Sequence, residues 1–117
     1  MTETCRALLE RAIQTYGAPR QIMKAVEELG ELSAALGRFE GARDAVAPEY
    51  NRLLDNLAEE IADVRVMLDQ LCLIYDLEGR ADQWRMYKLD RLYDRLNVKG
   101  GPRACTNHIS TASTACG

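Results

Sequence analysis

Two short acidic motifs, EELGEL and EEIADV, contain the residue types from which a metal site is built. On a helix, each motif presents two carboxylates on the same side of its central apolar residue, at about 100° and about 160° from it. The motifs therefore repeat one geometry, with the pairs Glu28 and Glu31 in the first and Glu60 and Asp63 in the second. If the two helices pack antiparallel by their apolar stripes, the four carboxylates converge at one edge of the bundle.

Converging carboxylates need a counter-charge. Two unit charges about 4 Å apart interact by about 4 kcal/mol at an effective dielectric of 20, and several such repulsions undermine a small domain. Mg²⁺ suits this arrangement because it prefers oxygen ligands and keeps water positions open for substrate phosphates. We therefore expect Mg²⁺, with Mn²⁺ able to replace it, at Glu28, Glu31, Glu60 and Asp63. Glu27 and Glu59 lie on the opposite side of their helices and suit an outer shell better.

Other interpretations of the acidic motifs stay open at this level. Glu-rich helix faces are commonly just solvated surface, although solvation requires no repeated geometry. A di-iron carboxylate bundle needs Glu-x-x-His on two helices. The sole histidine is His108, which disfavours di-iron and histidine-dependent zinc chemistry. Cys105, His108 and Cys116 match no known spacing of metal ligands.

Helical periodicity extends along most of the chain and defines the elements that must position these motifs. Gly and Pro interrupt it, which predicts four helices, at 3–16, from about 19 to 41, from about 48 to 76 and at 81–96. No stretch alternates over a useful length as a strand does. The predicted fold is all-α, a four-helix bundle-like domain over 1–96 followed by a flexible low-complexity tail over 97–117.

The second and third helices carry the acidic motifs, and their apolar stripes predict how the motifs are presented. We expect these stripes to centre on Leu29 and Ile61 and to be buried, so that the carboxylates flank the core. Gly30 lies on the opposite flank from Glu28, which predicts close packing against a neighbouring helix. Four amphipathic helices in one chain leave some apolar faces uncovered, and this favours a homodimer or homotetramer.

Composition disfavours several classes of function. A chain of 117 residues is long enough for one domain with a single core. Its formal net charge of −3 provides no basic field, which disfavours binding to nucleic acid or to an anionic membrane. No apolar run reaches the ~18 residues of a membrane span, and MTETCRALLE lacks the pattern of a signal peptide. Because its cysteines are scattered outside any CxxC pair, we expect free thiols and a cytoplasmic location.

The segment QIMKAVEELGELSAALGRFEG, followed by NLAEEIADVRVMLDQL, carries a resemblance to a known family. It resembles the MazG-like all-α nucleoside triphosphate pyrophosphohydrolases, a superfamily that also contains the dimeric dUTPases and the dCTP pyrophosphatases. Their signature is E-E-x-x-E, a spacer and then E-x-x-D, which corresponds here to Glu27, Glu28 and Glu31 and then to Glu60 and Asp63. The resemblance covers about residues 20–96.

This resemblance implies a MazG-type architecture and a reaction. Family members use Mg²⁺ to hydrolyse a (deoxy)nucleoside triphosphate at its α–β linkage, which gives the monophosphate and pyrophosphate in nucleotide-pool housekeeping. The four metal ligands would correspond to the residues named above. Glu31, Glu28 or Glu27 would accept the proton of the attacking water.

Four further residues are candidates for contact with the substrate. Lys24 lies one turn before Glu28, where it either pairs with that carboxylate or reaches a phosphate. By resemblance, Lys88 corresponds to a late phosphate-binding lysine of the family. Asn56 and Met67 share a side of their helix with the second acidic pair, where they would border a base or sugar pocket. The alternative function is a non-catalytic helical interaction or regulatory module of the same shape.

Overall fold

The structure is a computed structural model that describes residues 1–97, and this part of the chain forms four helices. They are α1 (Glu3–Tyr16), α2 (Ala18–Gly41), α3 (Glu49–Tyr75) and α4 (Glu78–Leu96). No strand occurs within residues 1–97, so the all-α prediction is confirmed for the described chain. Helix α4 begins three residues earlier than its periodicity indicated. Apart from Asn97, the predicted tail lies outside the described residues.

Local sequence accounts for the ends of these helices. The Thr2 hydroxyl accepts a hydrogen bond from the Cys5 backbone N–H at 3.2 Å and caps α1. Gly17 separates α1 from α2 with a φ of 87°, a backbone conformation that L side chains rarely adopt. Pro19 follows in the first turn of α2, where its missing N–H costs no hydrogen bond. Asp76 ends α3 in the left-handed conformation.

Helices α2 and α3 form an antiparallel pair that makes the most extensive helix contact in the fold. Gln21, near the start of α2, bonds to Gln70 near the end of α3, whereas Arg38 bonds to Asn56 at the other end of the pair. Helix α1 packs against both of these helices, and α4 packs against α3. The acidic motifs therefore face each other across the central helix pair.

On both α2 and α3, the buried face lies about 100° around the helix axis from the predicted face, which is the rotation between two consecutive residues. Leu29 and Ile61, the expected centres, are 45% and 39% exposed, so that prediction is wrong. The buried residues lie to one side of these centres: Gln21, Ala25, Glu28 and Ala35 on α2, and Leu53, Val64, Met67 and Gln70 on α3. The small side chains of Ala25 and Ala35, each 2% exposed, let the two backbones approach closely. Glu28 consequently lies within the helix contact and Glu60 is half-buried, whereas Glu31 and Asp63 are exposed at its edge.

The remaining apolar positions form what we call the outer apolar face, composed of Leu29, Leu36, Leu54, Ile61 and Leu68, all exposed. On each helix these residues recur at seven-residue spacing, so each set forms one stripe. Gly30 lies beside this face, and nothing lies within 4 Å of where its Cβ would be. The predicted close helix packing at Gly30 is therefore wrong within this chain.

Cys72 has a free thiol, as expected, and burial raises its pKa. Cys5 is disulfide-bonded, so the expectation of a free thiol is wrong at that position and lends no support to a reducing compartment. None of the described helices is both long enough and apolar enough to cross a membrane.

Candidate metal centre

Two overlapping groups of carboxylates meet where α2 and α3 face each other. One group joins Glu28 to Glu60 and Asp63, and the other joins Glu28 to Glu27 and Glu31. Within each group, one carboxylate oxygen from every residue lies within 4.8 Å of the others. The structure thus brings the other three predicted ligands, Glu31, Glu60 and Asp63, close to Glu28, although Glu31 does not belong to the group that contains Glu60 and Asp63. We call the residues of both groups the carboxylate cluster.

Glu28 is the most deeply buried member of the cluster, with 5% of its surface exposed. Its Oε1 lies 2.6 Å from the Lys24 ammonium, one turn earlier on the same helix. Its Oε2 is buried and has no hydrogen-bond partner. Buried polar atoms are almost always hydrogen-bonded, and an unpaired carboxylate oxygen is especially costly because it carries charge.

Glu60 repeats this pattern from the facing helix. Its Oε1 accepts a hydrogen bond from the Asn56 amide at 3.4 Å, one turn earlier on α3. Its Oε2 is buried and has no partner, like that of Glu28. Each helix therefore contributes one carboxylate with one satisfied and one unsatisfied oxygen to the same cluster. Asp63, also in this cluster, is exposed.

The electrostatics of the cluster match its crowding. The pKa of Glu31 is raised, chiefly because a protonated Glu31 can donate a hydrogen bond to Glu28, and then by the charges of Glu28 and Glu60. The pKa of Glu28 is lowered, chiefly by its hydrogen bond from Lys24, although its burial opposes that effect. Without a metal ion, the cluster thus retains a proton on Glu31 more readily than an isolated glutamate would.

The cluster fits a hard divalent cation. Octahedral Mg²⁺ with metal–oxygen distances of about 2.1 Å holds its ligand oxygens about 3–4.2 Å apart, which is compatible with oxygens that lie within 4.8 Å of one another in each group. The donors are all carboxylate oxygens, which suit Mg²⁺ or Mn²⁺ better than softer metals. A cation would satisfy two buried, unpartnered carboxylate oxygens on facing helices, whereas an exposed acidic face has no such unsatisfied groups. Glu28 and Glu60 therefore distinguish this cluster from a solvated surface.

A cleft of about 810 Å³ adjoins the cluster. Lys24 and Glu27 line it at the cluster end, and Met67, only 6% exposed, lines it from α3. Its other lining residues are Tyr16, Arg20, Gln21, Met23 and Val26. The cleft thus combines a carboxylate and two cationic side chains with apolar and aromatic walls, as binding sites for charged small molecules do.

Comparison with known proteins adds no relative: the chain matches no protein-family model, no curated protein and no solved structure. The site's interpretation therefore depends on its residues and their geometry.

Of the four residues predicted to contact the substrate, two line the cleft and two do not. Lys24 and Met67 line the cleft, whereas Asn56 lies between Glu60 and Arg38 and is not among its lining residues. Lys88 is exposed on α4 and does not line the cleft either. The contacts of these residues with a substrate stay predictions.

Sequence reasoning missed several residues around the cluster, although helical spacing contains the signal for them. Arg38 follows Glu31 by seven residues and Gln21 precedes Glu28 by seven, so each shares a helix face with a predicted ligand. Gln70 stands in the same relation to Asp63, and its amide accepts the Gln21 hydrogen bond at 2.7 Å. Extending the acidic motifs by two helical turns in each direction would have found all three.

Proposed function

We propose that this protein is a Mg²⁺-dependent nucleotide pyrophosphohydrolase of the MazG-like type, which cleaves a (deoxy)nucleoside triphosphate to the monophosphate and pyrophosphate. One observation carries the proposal: Glu28 and Glu60 lie in one cluster, each with a buried oxygen that has no partner. The E-E-x-x-E and E-x-x-D motifs support it by resemblance. Glu28, Glu31, Glu60 and Asp63 are the proposed ligands.

The metal would supply charge neutralisation for the phosphates and a bound water that is a usable nucleophile at neutral pH. The carboxylates of the cluster would hold the cation between α2 and α3, beside the cleft. Glu31, or else Glu28 or Glu27, accepts the proton of the attacking water.

The cleft is the proposed position of the rest of the substrate. Lys24 lies between the cluster and the cleft, where its ammonium can turn from Glu28 towards a phosphate. Arg20 lines the same cleft and adds a second positive charge. Met67 and Tyr16 provide apolar and aromatic surface for the nucleoside. Lys88 and Asn56 stay candidates for substrate contact.

We also propose a homodimer or homotetramer that works on the cytoplasmic nucleotide pool. The outer apolar face supports self-association, because its five large side chains are between 39% and 48% exposed on the two helices that carry the cluster. A second copy packed on this face would shield it from water.

The same face favours the alternative function, a non-catalytic helical interaction or regulatory module. In that case the outer apolar face contacts another protein, and the carboxylate cluster holds a structural cation or none. This alternative predicts that no triphosphate releases pyrophosphate in response to Mg²⁺.

The test is a panel of ribo- and deoxyribonucleoside triphosphates with Mg²⁺, in which pyrophosphate and orthophosphate are measured separately. Glu60→Gln removes a proposed ligand, and Glu59→Gln is its matched control. The control makes the same change of charge at the adjacent residue. Glu59 was expected in the outer shell, but it is exposed and belongs to neither carboxylate group, so it is not part of the proposed metal centre. We expect Mg²⁺-dependent pyrophosphate release by the wild type and Glu59→Gln and its loss in Glu60→Gln. Equal turnover by both variants would reject the ligand assignment.

A further inference from the structure

A series of hydrogen bonds connects α2 to Glu60, the half-buried carboxylate of the cluster on α3. Arg38 Nη2 donates to Asn56 Oδ1 at 3.0 Å, and Asn56 Nδ2 donates to Glu60 Oε1 at 3.4 Å. This series of hydrogen bonds ends at Glu60, whose other carboxylate oxygen is buried without a partner. It therefore joins an exposed guanidinium to the carboxylate cluster through a single amide.

The direction of this series of hydrogen bonds follows from the chemistry of its members. A guanidinium only donates hydrogen bonds, so Arg38 must face the carbonyl oxygen of the amide. An ionised carboxylate only accepts them, so Glu60 must face the amide nitrogen. The two neighbours together permit one orientation of the Asn56 amide, and the flipped orientation would lose both hydrogen bonds.

We propose that Asn56 is a positioning residue for Glu60 and that Arg38 fixes the orientation of its amide. The amide occupies Glu60 Oε1 and thereby directs Oε2 towards the position of the cation. Outer-shell groups that orient metal-binding carboxylates act in this way, and their loss typically weakens metal affinity by about 10–100-fold. The inference depends on the proposed metal centre, and it assigns Asn56 a role different from contact with the nucleoside.

Direct metal binding by the full chain tests this proposal without requiring catalysis. The measurement is the dissociation constant for Mn²⁺, obtained by electron paramagnetic resonance from the loss of the free-ion signal. Asn56→Leu removes both polar groups of the amide at similar volume. Asn51→Leu makes the same change at an exposed position one and a half turns earlier on α3, and it serves as the matched control. Circular dichroism shows whether each variant is folded at the temperature used.

We expect Asn56→Leu to weaken Mn²⁺ binding by about 10–100-fold and Asn51→Leu to leave it unchanged. Arg38→Met, on an exposed side chain, should weaken binding by a smaller factor, which provides a test if Asn56→Leu does not fold. In the Asn56→Leu background, Arg38→Met should have no further effect, because it acts through the amide.

Several outcomes would overturn the proposal. Equal affinities of Asn56→Leu and Asn51→Leu would exclude the positioning role and leave the metal centre intact. An equal effect of Arg38→Met in the wild type and in Asn56→Leu would show that Arg38 does not act through Asn56. Absence of a Mn²⁺ site in the wild type would overturn the metal centre and the positioning role together.

Discussion

Lys24 Nζ lies 2.6 Å from Glu28 Oε1, while the other oxygen of that buried carboxylate has no partner. The ammonium therefore neutralises one side of Glu28 and leaves the other side to the carboxylate cluster, which carries further negative charge. The Lys24 side chain is 45% exposed and also contacts Glu27 at 3.2 Å. This lysine thus provides the nearest positive charge of the cluster when no metal ion is bound.

Replacing Lys24 with methionine should destabilise the metal-free protein, because Glu28 then keeps its buried charge without its nearest cation. Mg²⁺ should recover much of that loss, since it neutralises the same carboxylate. The measurement is the urea midpoint in EDTA and in Mg²⁺. Lys88→Met removes the same charge from the exposed surface of α4 and is the control. Identical midpoints for the two variants under both conditions would contradict the prediction.

Metal affinity should increase with pH across the range in which Glu31 ionises. The neighbouring Glu28 raises the pKa of Glu31 above its ordinary value of 4.5, so in the metal-free protein a proton competes with the cation there. The folded, metal-free chain holds this proton more tightly than the unfolded chain does. The contribution of Glu31 to stability is therefore present below pH 4.5 and is lost as pH rises through its raised pKa.

The pH dependence can be measured as the Mn²⁺ dissociation constant at a series of pH values. In the wild type and in Glu59→Gln, binding should tighten with rising pH and then level off. In Glu31→Gln, binding should be weaker at high pH, and the part of the pH dependence that comes from Glu31 should disappear. A profile for Glu31→Gln parallel to that of the wild type would contradict the assignment.

The close approach of α2 and α3 at Ala35 can be tested by enlarging the side chain. Ala35→Leu should lower the free energy of unfolding by about 1–3 kcal/mol, because extra methylenes at a closely packed position force the helices apart. Ala34→Leu is the matched control, since its position is exposed on the same helix. Urea unfolding provides the measurement. A greater loss of stability in Ala34→Leu would contradict the observed rotation of α2.

The outer apolar face should mediate self-association. The wild type should have the mass of two or four 13.1 kDa chains in sedimentation experiments. Leu68→Asp, which introduces a charge into that face, should lower this mass. Val46→Asp makes a similar change in the connector between α2 and α3, where the valine is 77% exposed, and should leave the mass unchanged. A wild type that sediments as a single chain at high protein concentration would contradict the self-association.

Much of the fold follows from the sequence, since helical periodicity predicts all four helices and Gly or Pro marks the first two breaks. The third break lies at Asp76 and Leu77, and Gly79 is inside α4, which is why α4 begins earlier than predicted. What periodicity could not provide was the rotation of α2 and α3. Each helix has an apolar sector broad enough to pack against two neighbours. The sequence does not show which part of that sector packs against the other helix of the chain and which part forms the outer apolar face. Periodicity alone therefore predicts that the stripe centred on Leu29 and Ile61 is the core and that Glu28 lies at its edge.

The members of the carboxylate cluster were predictable because a repeated motif at fixed helical angles depends on spacing alone. Their environments were not, since burial depends on which face each helix turns inward. The unpartnered oxygens of Glu28 and Glu60, and the amide of Asn56 between Arg38 and Glu60, result from that rotation. These features required the relative positions of two helices, which no single-helix pattern contains.

Titration of the full chain with Mn²⁺, followed by electron paramagnetic resonance, tests the existence of the metal centre most directly. The account predicts a saturable site in the wild type, an equal site in Glu59→Gln, and loss of at least about 100-fold in affinity in Glu60→Gln, because removal of a ligand should cost more than removal of an outer-shell partner. A wild type without a saturable site, or equal affinities for Glu60→Gln and Glu59→Gln, would contradict it.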